Sequence, residues 1–158
     1  MDDFETFFGN SYGSVVRAVA MALGDRAHAE DVTQEAFARA FRRWRVVSAM
    51  DRPVTWVYVV ALNAERKRWR RDARVPSGGD QVDAVVADPA AGVATTIVVR
   101  DAIARLAPRQ RCAVALRYLA DLQVSDIAEV MGCADGTVKA TLHQALRNLR
   151  IDLEGCEP

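Results

Sequence analysis

Val124-Ser125-Asp126-Ile127-Ala128-Glu129-Val130-Met131-Gly132, followed by Cys133-Ala134-Asp135-Gly136-Thr137-Val138-Lys139, is the stretch on which the fold turns. Ser125 is placed to cap a short helix, Asp126 to Met131. Gly132 suits the left-handed position that ends such a helix. Small Ala128 lets a second helix approach closely, and Ile127 and Val138 are spaced to lock the pair. The pattern reads as a helix-turn-helix. The second helix runs over about 135–153, with Val138, Leu142, Leu146, Leu149 and Leu153 on its apolar face. Its outward side then offers Thr137, Lys139, Ala140, Thr141, His143, Gln144 and Arg147 to a major groove. An ordinary helical hairpin is the plainer alternative.

Helical periods continue on the N-terminal side. Ile97, Ala104 and Leu106 mark a helix from near Thr96, closed by Ala107-Pro108, and Pro108 fits the first turn of the next, to about Leu119. Residues 73–95 carry no helical period. Pro76, Gly78-Gly79 and Asp88-Pro89 break any regular element, so this segment is expected to be a flexible acidic linker. Before it, Phe4, Phe8, Tyr12, Val15, Val16, Val19 and Leu23 mark an amphipathic helix over about 3–23. Gly24 breaks it, and Asp25 is placed to cap a helix over 26–44 with Val32, Ala36, Phe37, Ala40, Phe41 and Trp44 on one face. Arg45 to Arg52 read as a loop, and Pro53 opens a helix to about Asp72. With no convincing strand, the fold is expected to be all-α: a bundle over 1–72, a linker over 73–95, a second bundle containing the helix-turn-helix over 96–153, and a tail over 154–158.

The chain has 158 residues, and its 21 basic side chains balance its 21 acidic ones. The balance conceals a distribution. Residues 1–35 hold two basic and seven acidic side chains, net −5, whereas residues 36–75 hold eleven and three, net +8. Residues 76–96 are net −3, and residues 97–158 hold eight of each sign. Sign asymmetry of this kind points to electrostatic partners more than the total does. The longest unbroken apolar run, Trp56 to Leu62, is seven residues, far short of a bilayer span, and the opening lacks a signal-peptide pattern. A cytoplasmic chain without membrane insertion is expected. Cys112, Cys133 and Cys156 are odd in number and lack a C-x-x-C pair, and His28 and His143 stand alone. No metal or other cofactor is expected from them.

Two further constellations bear on chemistry. In Asn63-Ala64-Glu65-Arg66-Lys67-Arg68-Trp69-Arg70-Arg71, helical spacing puts Asn63, Arg66 and Arg70 on one face, with Lys67 and Arg71 beside them. Such cations neutralise phosphates and Asn reads base edges. The interleaved Trp69, and Trp44 and Trp56 nearby, are candidates to stack on an unpaired base, although helical spacing favours core positions for Trp44 and Trp56. In Asp31-Val32-Thr33-Gln34-Glu35-Ala36-Phe37, Asp31, Gln34 and Glu35 share a face that alone would be only a solvated acidic surface.

Taken together and in this order, these segments resemble an alternative bacterial sigma factor of the extracytoplasmic-function type, within the sigma-70 superfamily. Asp31 to Phe37 is similar to the family's surface for the clamp helix of core RNA polymerase. Pro53, Trp56, Ala61 and Asn63 with the basic run are similar to its element for minus-ten recognition and melting. Leu106-Ala107-Pro108-Arg109-Gln110-Arg111, Leu116-Arg117-Tyr118 and Gly136-Thr137-Val138-Lys139 are similar to its minus-thirty-five domain. The resemblance implies a non-enzymatic initiation factor. Asp31, Gln34 and Glu35 would bind polymerase. Ser48, Met50, Arg52, Trp56, Asn63, Arg66, Lys67, Arg70 and Arg71 would hold the non-template strand, with a flipped base near the Arg45–Arg52 loop. Thr137, Lys139, Ala140, Thr141, His143, Gln144 and Arg147 would read the minus-thirty-five duplex. An anti-sigma factor is an expected partner beside polymerase and promoter DNA.

The chain departs from the family pattern at Ala134, where a capping Ser is usual, at Ala140-Thr141, where Ser-Arg is common, and at Gln144, where Arg is common. A conventional helix-turn-helix regulator would need a dimerisation or effector element and would leave the basic run without a purpose. An enzyme would need a nucleophile set, a metal cluster or a phosphate loop, and an interaction module that had lost DNA binding would not need Asn63 to Arg71.

Overall fold

The computed structural model describes residues 2–72 and 94–155, and every described element is helical. Helix α1 spans Asp2–Leu23, α2 Arg26–Arg42, α3 Trp44–Val47, α4 Pro53–Ala61 and α5 Asn63–Asp72. After the segment outside the described residues come α6 Ala94–Ala104, α7 Pro108–Val114, α8 Val124–Met131 and α9 Asp135–Glu154. The expected linker, 73–95, falls almost wholly outside the described residues, as do Cys156 and most of the tail.

The N-terminal bundle is α1 against α2, with α4 across α2. Val15, Val19, Ala36, Phe37, Ala40, Val57 and Leu62 fill its core. At one end, seven aromatic rings cluster: Phe4, Phe7, Phe8, Tyr12, Phe37, Phe41 and Trp44, with centroid separations from 4.8 Å for Phe8–Tyr12 to 6.5 Å for Phe4–Phe7. Such pairs add stability beyond the area they bury. Asp25 caps α2 as its position predicts: its Oδ1 accepts from the His28 amide at 3.1 Å.

The C-terminal bundle packs α7, α8 and α6 against α9, with Leu106, Cys112, Leu116, Ile127, Val130, Val138 and Leu142 inside. Gly132 is left-handed at φ 67°, and the Cys133 amide returns to the Ala128 carbonyl at 3.0 Å. This closes α8 as the turn of a helix-turn-helix requires.

Four local expectations change. Arg45 to Arg52 is not all loop, because Val47 is fully buried and Trp44 packs on Phe4 and Phe7, anchoring one helical turn, α3. The long helix after Pro53 is interrupted at Leu62 (φ −99°, ψ 9°). Val57, Val59 and Val60 are weak helix formers, and Asn63 competes for backbone hydrogen bonds. Gln123, not Ser125, stands at the N-cap of α8, with extended backbone and no side-chain cap bond, since the half-buried Val124 already belongs to the helix. Finally, α7 passes into a π-helical turn at Ala115–Leu119 before ending.

The two bundles also pack on each other. Helix α1 lies against α7 and the π turn, and α4 and α5 lie against α8. Arg111 is 7% exposed at this junction. Its Nε donates to the Ala22 carbonyl at 3.1 Å and its Nη2 to that of Leu23 at 3.5 Å. It thus sits at the negative C-terminal end of α1. Among the described residues no helix is long and apolar enough to cross a membrane.

Candidate nucleic-acid interface

Helices α4 and α5 carry the basic face. The Leu62 amide bonds to the Tyr58 carbonyl and the Arg66 amide to that of Leu62, both at 2.9 Å, so the helical path largely continues through the interruption. Spacing of seven then lines up Trp56, Asn63 and Arg70 along one stripe, with Lys67 and Arg71 flanking it. Lys67, Arg70 and Arg71 are exposed, whereas Asn63 and Trp56 are half-buried. Ser48, Met50 and Arg52 are exposed in the turn between α3 and α4, at the head of the stripe. Trp69 does not join them. It is 5% exposed and turned into the core, its indole N–H without a partner. It cannot stack on a base in this arrangement, and Trp44, packed on Phe4 and Phe7, is tied into the aromatic cluster.

Two of the nine minus-ten candidates are drawn away from the stripe. Arg52 Nη1 lies 2.7 Å from Asp126 Oδ2 on α8. Arg66 Nη1 donates to the Glu129 carbonyl at 3.4 Å, and its stem crosses Gly132 so closely that a Cβ there would fall 2.8 Å from Arg66 Cδ.

On α9, Thr137, Lys139, Ala140, His143, Gln144 and Arg147 are exposed along the outward side, and Thr141 is half-buried. Val138, Leu142 and Ala145 face inward, but Leu146, expected on the apolar face, is 45% exposed, because Ala145 takes the inward position beside it. Several polar groups are already engaged. The Thr141 hydroxyl donates to the Thr137 carbonyl at 2.8 Å. Gln144 Nε2 donates to Asn148 Oδ1 at 3.2 Å, and Asn148 donates on to Gln110 at 3.0 Å. Ala134 stands at the N-cap without a side-chain bond, and Asp135 is the first helical residue.

Asp31, Gln34 and Glu35 are exposed on α2. Glu35 accepts from Arg39 Nε at 2.8 Å and lies 3.6 Å from Arg42 Nη2. The hydrogen bond from Arg39 holds its carboxyl below the usual range. Beside Gln34 an open apolar groove of about 450 Å³ is lined by Phe4, Phe8, Tyr12, Phe37 and Phe41. The face is therefore not merely solvated charge: acidic and amide groups border exposed rings.

Among the described residues no group of His, Cys, Asp and Glu is arranged to hold a metal ion. His28 and His143 are exposed and Cys133 half-buried. Cys112 is fully buried, and desolvation pushes its thiol far above the usual range. The residues that join the bundles, Arg111, Asp126 and Glu129, are absent from the sequence-derived site. Arg111 carried a signal: a charge at the head of the apolar run Cys112 to Leu116, in phase with a buried face.

Residues 10–75 match Sigma-70 region 2, and residues 97–149 match Sigma-70, region 4. The chain is 31% identical over 153 residues to the RNA polymerase sigma-E factor of Streptomyces antibioticus, covering 96% of this chain and 85% of that one. It is 32% identical over 152 residues to the ECF RNA polymerase sigma factor SigL of Mycobacterium tuberculosis, covering 92% and 86%. In fold it is similar to the sigma factor RpoE of Bartonella quintana, solved in complex with the anti-sigma factor NepR. The TM-score is 0.76 at 18% identity over 99% of this chain and 100% of that one. An all-α chain with a basic helix ahead of a helix-turn-helix is thus a transcription initiation factor of the sigma-70 class. Within that class it belongs to the ECF RNA polymerase sigma factors.

Proposed function

We propose that this sigma factor divides promoter recognition between its bundles, residues 1–72 and 96–153. The N-terminal bundle docks on core RNA polymerase through Asp31, Gln34 and Glu35 and the bordering aromatic groove. Its turn and basic stripe, Ser48, Met50, Arg52, Trp56, Asn63, Arg66, Lys67, Arg70 and Arg71, hold the melted non-template strand of the minus-ten element. Helix α9 presents Thr137, Lys139, Ala140, Thr141, His143, Gln144 and Arg147 to the minus-thirty-five duplex. The observation that carries this division is the exposed alignment of Lys67, Arg70 and Arg71 beside Trp56 and Asn63, in a chain whose α9 has equal numbers of acidic and basic side chains.

The chain works in the cytoplasm, on polymerase and DNA, and catalyses no step itself. Control by an anti-sigma factor fits the two separate faces, since a single partner covering both would silence both. Run-off transcription with purified core polymerase tests the assignment. Specific transcripts from cognate promoters are expected with the wild type and lost with Lys67→Glu combined with Arg70→Glu. Transcription unaffected by those substitutions would remove the basic stripe from the mechanism.

A further inference from the structure

A chain of side-chain amides runs from the outward side of α9 into the rest of its bundle. Gln144 Nε2 donates to Asn148 Oδ1 at 3.2 Å, and Asn148 Nδ2 donates to Gln110 Oε1 at 3.0 Å. Gln144 is exposed, whereas Asn148 and Gln110 are half-buried. Gln110 stands in the first turn of α7, directly before the buried run Arg111 to Leu116. Asn148 lies one turn beyond Gln144, at the spacing where such pairs meet on a helix surface, and α7 packs against α9. One end of the chain is therefore fixed to the core. The other is a side chain on the face proposed to meet DNA.

The chain limits what Gln144 can offer. A side-chain amide has two N–H groups and an oxygen with two lone pairs. The bond to Asn148 uses one N–H, so one N–H and the oxygen remain, side by side on a planar group. Reversing all three amides would use one lone pair instead and leave the same two groups. They complement the major-groove edge of adenine, which offers N7 as acceptor and N6–H as donor. Guanine offers two acceptors, N7 and O6, so the Gln144 oxygen would face an acceptor with no proton between them. The neighbours one turn back do not supply another donor. Ala140 has only a methyl group, and Thr141 spends its hydroxyl proton on the Thr137 carbonyl.

The chain also limits how Gln144 can move. An unheld glutamine samples many rotamers and loses that freedom on binding. It can turn its N–H to guanine O6 or its oxygen to cytosine N4. Held by Asn148, the amide meets DNA with its donor and acceptor already assigned, and the cost of ordering it is reduced.

Resting on the assignment of α9 to the minus-thirty-five duplex, we propose that Gln144 selects an A·T pair there, and that Asn148 and Gln110 are positioning residues that set its amide for this choice. Asn148 and Gln110 act through Gln144 and need not touch DNA.

The test uses the full chain with core polymerase on a pool of promoters randomised across the minus-thirty-five element. Each template carries a transcribed barcode, so run-off transcripts report the base preference at every position. Gln144→Arg locates the position read by Gln144, because arginine is bidentate to guanine and should shift that position alone to G·C. There the wild type should favour A·T over G·C by at least roughly fivefold. Asn148→Leu should reduce this preference to within about twofold, and Gln110→Met should reduce it in part. Preferences at the other positions should persist, whereas a merely structural loss would weaken all positions together. Asn148→Asp keeps an acceptor for Gln144 and should retain the A·T preference even where total transcription falls. The proposal is overturned if Gln144→Arg shifts no position, if the shifted position shows no A·T preference in the wild type, or if Asn148→Leu and Gln110→Met both keep the full wild-type preference. Loss in Asn148→Asp as complete as in Asn148→Leu would also overturn the positioning role. Should Asn148→Leu fail to fold, Gln110→Met and Asn148→Asp carry the same comparison. A wild type that initiates at no promoter in the pool defeats the sigma reading and this choice with it, whereas transcripts indifferent to Gln144 overturn the choice alone.

Discussion

Helices α5 and α9 are the two proposed to meet DNA, yet they are made differently. In its ten residues, α5 carries five cations, Arg66, Lys67, Arg68, Arg70 and Arg71, against Glu65 and Asp72. In its twenty, α9 carries Lys139, Arg147 and Arg150 against Asp135, Asp152 and Glu154. The first is a strip of charge whose local fold depends little on where each cation points. The second is nearly neutral, is packed against α7 and α8, and engages several outward polar groups with its own backbone and neighbours. On the proposed assignment, phosphate attraction is concentrated at α5. Helix α9, on the same proposal, contributes shape, held from behind by the core. A chain of zero net charge would suit both proposed tasks because five of its 21 cations are gathered in the ten residues of α5.

The contrast breaks first if α9 does not depend on the core behind it. Ile127 is fully buried in α8, within the core shared with Val138. Ile127→Ala is expected to cost about 2–5 kcal/mol of folding stability, the usual range for emptying such a site. Urea denaturation reads this directly. A loss below about 1 kcal/mol would mean that the helix-turn-helix repacks freely, and α9 would not be a rigid reader.

The opposite signature is expected at α5. Arg70 and Arg71 are exposed, so Arg70→Ala with Arg71→Ala should leave stability within roughly 0.5 kcal/mol per site. The salt dependence of single-strand binding by the polymerase complex should fall by about 0.7 in log–log slope per lost contact. An unchanged slope would show that these two cations never meet phosphate. Asp31→Lys with Glu35→Lys should act elsewhere again. Glu35 is exposed and bonded to Arg39, so the fold should survive its loss. Affinity for core polymerase should drop by roughly tenfold, as for reversed charges at an interface. A titration of labelled chain against core polymerase checks it, and unchanged affinity would take both residues out of the docking face.

What the sequence could disclose follows the same division. Helices α1, α2 and α9 were legible because each has a long apolar period and punctuation with a mechanism, Asp25 before α2 and Gly132 before α9. The outward residues of α9 and the exposed cations of α5 were legible for the same reason: periodicity sorts a helix into inside and outside. It does not say what the inside meets. Trp69 was grouped with the basic strip by proximity in sequence, yet it turns inward. Arg52 and Arg66 have the right chemistry for DNA but are engaged by α8. Contacts between elements distant in sequence, such as Arg111 with the end of α1, depend on complementary surfaces rather than on any local pattern. The π turn and the interruption at Leu62 are likewise compromises between local propensity and packing.

The smallest effect sharpens the comparison most finely, because it concerns how α9 is held rather than what it carries. Ala134 has the extended backbone of an N-cap (φ −77°, ψ 155°) but no side-chain oxygen to meet the free amides of the first turn. Serine fits this backbone, and its hydroxyl can accept from one of those amides. Ala134→Ser should therefore stabilise the chain by about 1 kcal/mol, a rise of roughly 2–4 °C in Tm for a chain of this size. If α9 reads by rigid shape, the same substitution should also tighten minus-thirty-five-dependent initiation without changing its salt dependence, since no charge is added. A Tm that does not move would mean that Asp135, at the first helical position, already stabilises the helix end by its charge. The alanine would then cost α9 nothing.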